Sequence, residues 1–303
     1  MKVLLSGISG YVGSLLLDRL QRDGHEVRGM SRRPPAERDL EVVRADALSG
    51  AGLERALRGM DVAYYLIHSM EPSADGSFSA RERSAAENFA AAARTAGVER
   101  IVYLGGLVPG AYPASAHLGS RLAVEEILLA ATPCSVAFRA SIVIGARSSS
   151  FRFMVRLVER LPFLPLPAWR KNRTRPIDER DVVELLTRAA VSEAVCGQSL
   201  DIAGPDVVTY GELIDRIRHH MLVDRPTVTL NHLTLTPIAS RIAALVAGQD
   251  HELIGPLMEG LDSDLLPRDD RGAQLLDVHM HSIDAAIERA LRQWESREPL
   301  AAR

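Results

Sequence analysis

The chain has 303 residues, of which 47% are hydrophobic and 25% are charged, and its formal net charge is −3. This size and apolar content suffice to bury a full α/β core in roughly one to two domains. The balanced charge excludes the strong basic bias typical of nucleic-acid-binding proteins. The two cysteines, Cys134 and Cys196, are too few for a disulfide framework or a metal cluster. We therefore expect buried thiols, no metal site and a reducing cytoplasm.

Targeting and membrane signals are absent from the sequence as given. A glycine at position 7 interrupts the first apolar run too early for a signal peptide, and no run reaches about 18 apolar residues. We therefore expect a cytoplasmic protein without a transmembrane segment. Its expected partner is a small-molecule substrate rather than nucleic acid, and it is expected to be a monomer or a homodimer.

Short apolar runs alternate with helical periodicity through the first half of the chain. Strands are predicted at 2–6, 26–30, 41–44, 62–67, 101–104, 135–138 and 199–202. Helices are predicted at 11–22, around 53–57, and at 82–96, 118–130, 151–160, 178–190, 210–221, 238–247 and 283–294. This alternation predicts an α/β fold with a Rossmann-type, doubly wound parallel sheet.

The regular alternation ends near residue 150, and 161–167 holds three prolines, which favours a loop or an irregular crossover. We expect the dinucleotide-binding Rossmann domain to comprise 1–150 plus 176–205. The remaining residues, 151–175 plus 206–303, are expected to form a smaller, mostly helical lobe that binds the substrate.

A glycine-rich turn between the first strand and the first helix is the strongest motif. Gly7, Gly10 and Gly13 follow one another at a spacing of three. In a dinucleotide-binding loop such glycines permit the tight turn, the approach of the pyrophosphate and the close packing of helix on strand. The expected cofactor contacts of this loop are Ser6, Gly7, Ser9, Gly10, Tyr11, Val12 and Gly13.

The end of the second predicted strand indicates which dinucleotide binds. NAD-specific sites usually carry an acidic residue about 20 residues beyond the glycines, whereas this chain reads Ser31-Arg32-Arg33. Arginine pairs well with a 2′-phosphate, so the sequence favours NADP(H), with NAD(H) as the other possibility. Asp46, beside Ala47 after the third strand, is either an acceptor for the adenine amino group or a turn residue.

Together with the segments 61–70 and 101–107, these motifs carry a family resemblance. The chain resembles the atypical short-chain dehydrogenase/reductases, and among them the bacterial NAD(P)H-binding group related to NmrA-like proteins. The resemblance implies further cofactor contacts at the ends of two strands. These contacts are Leu66, Ile67, His68, Leu104, Gly105 and Gly106.

The chain departs from that family at the catalytic residues. Typical members use a Tyr, a Lys four residues later and an upstream Ser, whereas here His117 and Arg121 stand at the Tyr and Lys places. Gly105-Gly106 occupies the serine region, so the usual triad is absent. Either His117 is the acid/base, with Arg121 anchoring the ribose or polarising the substrate, or His117 is an ordinary loop residue. His68 is the other candidate acid.

Three functions remain open on these grounds. The first is an NADP(H)-dependent oxidoreductase that acts on a small, largely apolar carbonyl, enone or quinone-like substrate. The second is a non-enzymatic NADP(H)-binding redox sensor or assembly factor, which the missing triad favours. The third is a non-redox isomerase or cyclase that uses the same scaffold.

Overall fold

A computed structural model describes residues 1–34, 40–67, 78–108, 116–161, 164–166, 168–224, 226–229 and 263–300. Its strands are β1 Lys2–Ser6, β2 Glu26–Ser31, β3 Val42–Arg44, β4 Val62–Tyr65, β5 Arg100–Gly106, β6 Val136–Ala140, β7 Val143–Ile144, β8 Leu164–Leu166, β9 Arg173–Thr174, β10 Ile177–Asp178, β11 Ser199–Ile202, β12 Val208–Thr209 and β13 Thr227–Thr229. Its α-helices are α1 Tyr11–Arg22, α2 Leu53–Leu57, α3 Phe78–Ala96, α4 Ala116–Leu129, α5 Ser149–Arg160, α6 Glu179–Ala189, α7 Tyr210–His220, α8 Arg271–Leu275 and α9 Ile283–Glu295.

Seven strands form one parallel sheet in the order β11-β6-β5-β4-β1-β2-β3. The chain moves outward in one direction from β1 to β3 and in the other direction from β4 to β11. The order therefore reverses between β1 and β4, and a crevice opens at their carboxyl ends. The predicted Rossmann-type doubly wound sheet is confirmed.

Both faces of this sheet are covered by helices. On one side α1 packs against α6, and on the other α3 lies between α2 and α4. Leu4 and Leu5 are adjacent on β1, and both are fully buried, in separate apolar clusters. Burial on both faces explains why these strands read as nearly continuous apolar runs.

A third apolar cluster lies outside the sheet and joins α5, α7 and α9. Phe151, Leu213 and Ile287 are fully buried in it, and Trp294 is 2% exposed. This cluster is built from residues that the sequence analysis assigned largely to the substrate lobe. The division of the chain into 1–150 plus 176–205 and the remaining lobe stays a prediction.

Some predicted bounds agree with the structure, and others differ by several residues. The bounds of α1 and β11 are those predicted, whereas α3 begins at Phe78 instead of residue 82. Within the proline-rich 161–167, the short strand β8 pairs in parallel with β13, a long-range pairing that local composition does not reveal. The predicted helix at 238–247 lies outside the described residues. No helix in the described part of the chain is long and apolar enough to cross a membrane.

The expectation that the two cysteines are separate buried thiols is wrong. Cys134 and Cys196 are joined by a disulfide, with their Cα atoms 4.3 Å apart, and both are partly exposed. They precede β6 and β11, which are neighbours in the parallel sheet and therefore begin at the same edge. Their separation of 62 residues conceals this proximity. The cysteines thus give no support to the expected reducing compartment.

Candidate dinucleotide site

The glycine turn between β1 and α1 leaves a cradle of bare backbone. Gly7 has φ +67°, and a Cβ on it would lie 2.5 Å from the carbonyl oxygen of Leu66. A Cβ on Gly13 would lie 2.2 Å from the carbonyl oxygen of Gly7. Side chains are therefore excluded at both positions by the turn and by the packing of α1 on the sheet.

Gly10 differs from those two glycines, because its conformation does not itself demand glycine. Its φ is −72°, and a Cβ would meet only the carbonyl oxygen of Gly7, at 3.0 Å, among the described atoms. Gly10 is the N-cap of α1, and no described side chain caps the helix there. The first N–H groups of α1 thus remain available to an anion such as a pyrophosphate, so the cradle fits a dinucleotide.

Ser6 fastens this loop to the neighbouring strand. Its buried hydroxyl donates to the carbonyl oxygen of Tyr64 at 2.7 Å and accepts from the N–H of Leu66 at 3.1 Å. The Ser6 side chain therefore serves the sheet itself, while Ser9, Tyr11 and Val12 lie in the turn and the first turn of α1.

A cavity of about 1010 Å³ lies beside the glycine turn, at the carboxyl ends of β2 and β3. Ser9, Ser31 and Asp46 contribute to its wall. Four arginines also line it, namely Arg32, Arg33, Arg44 and Arg55. Sequence reasoning singled out only the first two of these. Arg44 could have been identified from the sequence, because it ends a predicted strand that lies next to β2.

Asp46 is engaged within its own turn. One carboxylate oxygen accepts from the N–H of Leu48 at 3.0 Å, and the other accepts from the hydroxyl of Ser49 at 3.2 Å. This is the turn role that the sequence left open beside a contact with adenine. Because the carboxylate of Asp46 is bound within its own turn, positive charge dominates the cavity wall.

The other end of the cleft is formed by β4 and β5. Leu66 and Leu104 are 9% and 5% exposed, so their side chains belong mainly to the core. A Cβ on Gly106 would meet no described atom within 4 Å, which leaves open space at the end of β5. His68 lies outside the described residues, whereas Ile67 ends the described part of that segment.

A buried polar cluster lies where α4 begins. The hydroxyl of Ser120 donates to Oε2 of Glu82 at 2.7 Å, and Glu82 is 7% exposed. Burial raises the pKa of Glu82, while this hydrogen bond and the charge of Arg121 oppose the rise. Burial likewise raises the pKa of Tyr103, and Arg121 again opposes it. The charge of Arg121 thus acts on both Glu82 and Tyr103, whereas only the backbone of His117 is described, in the first turn of α4.

Two arginines of the basic segment 170–175 are paired. Arg173 binds Asp264 with two side-chain nitrogens, at 2.6 and 2.9 Å. Arg175 donates to the carbonyl oxygen of Gly204 at 2.8 Å and pairs with Asp270 at 2.9 Å. These contacts give the two arginines a structural role, since they join segments that are far apart in the sequence.

Glu179, which the sequence did not single out, contacts the first residue after the glycine loop. Glu179, at the start of α6, is 6% exposed and accepts a hydrogen bond from the hydroxyl of Tyr11. Burial raises the pKa of Glu179, and the hydrogen bond from Tyr11 opposes that rise. Glu179 was hidden because 168 residues separate it from Tyr11.

Known proteins similar to this chain were found by sequence and by structure. Residues 7–132 match the model of the NAD(P)H-binding family. The chain is 28% identical to a ceramide reductase of Caulobacter vibrioides, over 54% of this chain and 53% of that protein. It is 25% identical to the mitochondrial NADH dehydrogenase [ubiquinone] 1 alpha subcomplex subunit 9 of Arabidopsis thaliana, over 78% of this chain and 61% of that protein. The chain thus spans less than two thirds of either relative.

A solved structure covers more of the chain. The short-chain dehydrogenase/reductase superfamily protein of Agrobacterium tumefaciens, with bound NAD, matches with a TM-score of 0.71 and 17% identity. The match covers 98% of each chain. At this identity the likeness concerns the fold alone. Residues 7–132 are therefore similar to the NAD(P)H-binding family, in a chain that has the fold of the short-chain dehydrogenase/reductase superfamily.

Proposed function

We propose that the chain is an NADP(H)-dependent oxidoreductase that acts on a small, largely apolar carbonyl, enone or quinone-like substrate. The observation that carries the proposal is the placement of a bare glycine cradle and an arginine-lined cavity along one edge of the sheet. The cradle suits a pyrophosphate, and the cavity suits a phosphate on the adenosine ribose.

The positive charge of the cavity favours NADP(H) over NAD(H). A 2′-phosphate needs cationic donors, and Arg32, Arg33, Arg44 and Arg55 line the cavity together. NAD(H) instead needs an acceptor for its ribose hydroxyls, and the acid of this wall, Asp46, is occupied by its own turn. The donor set therefore fits the phosphorylated cofactor better.

When bound, the cofactor supplies the hydride. This chain's part is to position both reactants and to manage one proton. The proposed role of Arg121 is to hold the nicotinamide ribose or to stabilise negative charge on the substrate oxygen, because an arginine stays charged and does not exchange protons. The contact between Ser120 and Glu82 fixes the start of α4 against α3. His117 and His68 are the proposed proton donors.

A relative supports the substrate class. The ceramide reductase of Caulobacter vibrioides takes a lipid, by its name. This relative favours a largely apolar substrate, which we propose to bind near the end of β5 in a chain that acts as a monomer or a homodimer.

A non-enzymatic NADP(H)-binding protein is the second candidate. The replacement of the usual Tyr and Lys by His117 and Arg121 favours it. A relative that is one subunit of a larger NADH dehydrogenase also favours it. Such a protein would bind the cofactor without turning it over.

Turnover separates these candidates. The purified chain is mixed with NADPH and a panel of carbonyl, enone and quinone compounds, and loss of NADPH absorbance is followed. We expect oxidation with at least one apolar member of the panel and none with Gly10→Val. Tight NADPH binding without turnover across the panel contradicts the enzymatic proposal and supports the binding protein. Conversion of a compound without consumption of NADPH indicates an isomerase or a cyclase.

A further inference from the structure

A cysteine pair lies at the edge of the sheet opposite the cofactor cleft. Cys134 precedes β6, and Cys196 precedes β11, so the pair lies at the amino ends of these strands. The glycine turn and the arginine-lined cavity lie at the carboxyl ends. The pair is therefore a site separate from the proposed cofactor cleft.

A buried cation touches both sulfurs. The side chain of Arg100, the first residue of β5, is 6% exposed. Its Nη2 nitrogen lies 2.8 Å from Sγ of Cys134 and 3.6 Å from Sγ of Cys196. Its Nη1 nitrogen donates to the carbonyl oxygen of Ala189, which holds the guanidinium in place.

The carboxylate that pairs with Arg100 is far more exposed than the guanidinium. Glu193 lies 2.9 Å from the same Nη2 nitrogen of Arg100, but its side chain is 86% exposed. Water screens this carboxylate, whereas the guanidinium is desolvated. Reduction of the disulfide would leave the buried cation facing two sulfurs, and such a charge stabilises a thiolate relative to a thiol. The same charge disfavours a metal cation here.

We propose that Cys134 and Cys196 form a redox-active dithiol/disulfide pair that exchanges with low-molecular-weight thiols and disulfides. In the oxidising direction, the thiolate of one cysteine attacks a sulfur of the small disulfide. The disulfide bond breaks and releases one small thiolate, which takes up a proton. The second cysteine, losing its proton, then attacks the mixed disulfide, forms the Cys134–Cys196 bond and releases the second small thiol. Two electrons pass from the cysteine pair to the small disulfide.

Partial exposure of both cysteines gives such reagents access. Arg100 activates whichever sulfur is reduced, and Glu193 limits this activation by pairing with the same guanidinium. Removing the charge of Arg100 should therefore lower thiol reactivity, whereas removing the charge of Glu193 should raise it. The chain contains only these two cysteines, so every change of thiol mass reports on this pair.

The first test equilibrates the folded full-length chain with mixtures of glutathione and glutathione disulfide. The reaction is quenched with acid, free thiols are alkylated, and the intact mass is measured. We expect full interconversion between the internal disulfide and two alkylated thiols, without loss of the near-ultraviolet circular dichroism of the folded protein. Cys134→Ser and Cys196→Ser should each accumulate a mixed disulfide with glutathione. A bond reduced only after unfolding overturns the proposal, as does the absence of mixed disulfides.

The second test measures the alkylation rate of the reduced chain by iodoacetamide as a function of pH. Glu193→Gln, at an exposed position, should alkylate about threefold or more faster than wild type at neutral pH, because the guanidinium then has no carboxylate partner beside the sulfurs. Arg100→Met should alkylate more slowly by a similar factor. If Glu193→Gln leaves the profile unchanged, or slows alkylation, Arg100 does not activate the pair and the proposal fails, whether or not Arg100→Met folds.

Discussion

The hydroxyl of Tyr11 donates a hydrogen bond of 2.5 Å to Oε2 of Glu179. This contact joins the first residue of α1, directly after Gly10, to the first residue of α6. Gly145 makes room for it, because a Cβ there would lie 2.0 Å from the Tyr11 hydroxyl oxygen. A carboxylate from the second half of the chain thus holds the start of α1, next to the glycine loop.

Replacement of Tyr11 by Phe tests this anchor. The variant leaves Oε2 of the buried Glu179 without its donor, and we expect the free energy of unfolding at neutral pH to fall by about 1.5–3 kcal/mol. Burial raises the pKa of Glu179 above its usual 4.5, and the bond from Tyr11 lowers it. Loss of the bond therefore raises the pKa of Glu179 further. The destabilisation should then grow as pH rises from about 4.5 through this raised pKa.

Tyr64→Phe is the matched control, since its hydroxyl donates to the carbonyl oxygen of Leu186, which does not titrate. Urea unfolding of both variants at pH 4 and pH 7 gives the comparison. We expect a larger loss at pH 7 for Tyr11→Phe and no such pH dependence for Tyr64→Phe. The same pH dependence in both variants would show that Glu179 is not the acceptor that matters.

Gly10→Val separates cofactor binding from folding. The residue has an ordinary φ and one tight backbone neighbour, so we expect a circular dichroism spectrum close to that of wild type. Its side chain would occupy the space in which a pyrophosphate approaches the helix, so NADPH binding should be lost. Gly7→Val should instead fail to fold properly, because of its positive φ and its contact with Leu66. A folded Gly10→Val protein with normal NADPH affinity would reduce the loop to a structural turn.

Arg44 and Arg55 extend the predicted 2′-phosphate site beyond Arg32 and Arg33. Replacing either of the former by Ser should weaken NADPH binding roughly 5- to 30-fold, about 1–2 kcal/mol, and leave NADH binding nearly unchanged. Arg58→Ser is the matched control, because Arg58 follows the same helix α2 but does not line the cavity. An equal loss of NADPH affinity in all three variants would indicate a general charge effect rather than direct contacts.

Histidine acid catalysis is tested by His117→Gln and His68→Gln on a confirmed substrate. Loss of the proton donor should lower kcat by a factor of about 10²–10⁴ with little change in cofactor affinity. The pH profile of kcat should show an ionisation near neutrality. His219→Gln, at an exposed position on α7, is the control. Unchanged kcat in both test variants would assign the proton to water or to the substrate.

Much of the fold was readable because its signals are local. The apolar period and the glycine spacing predict β1, α1 and the sheet class from neighbouring residues alone. The contact of Tyr11 with Glu179 and the pairing of Cys134 with Cys196 span 168 and 62 residues. Only the strand order brings such residues together, so the sequence pattern did not reveal them. Arg44 illustrates an intermediate case, because it was visible once the edge of the sheet was known.

We expect the arginine-lined cavity to select NADP(H), and isothermal titration of the purified chain with NADPH and NADH measures this preference. NADPH should bind more tightly by about 1.5–3 kcal/mol, roughly ten- to a hundredfold, the worth of charge-assisted contacts to one phosphate. Equal affinities for the two cofactors, or tighter binding of NADH, would contradict it.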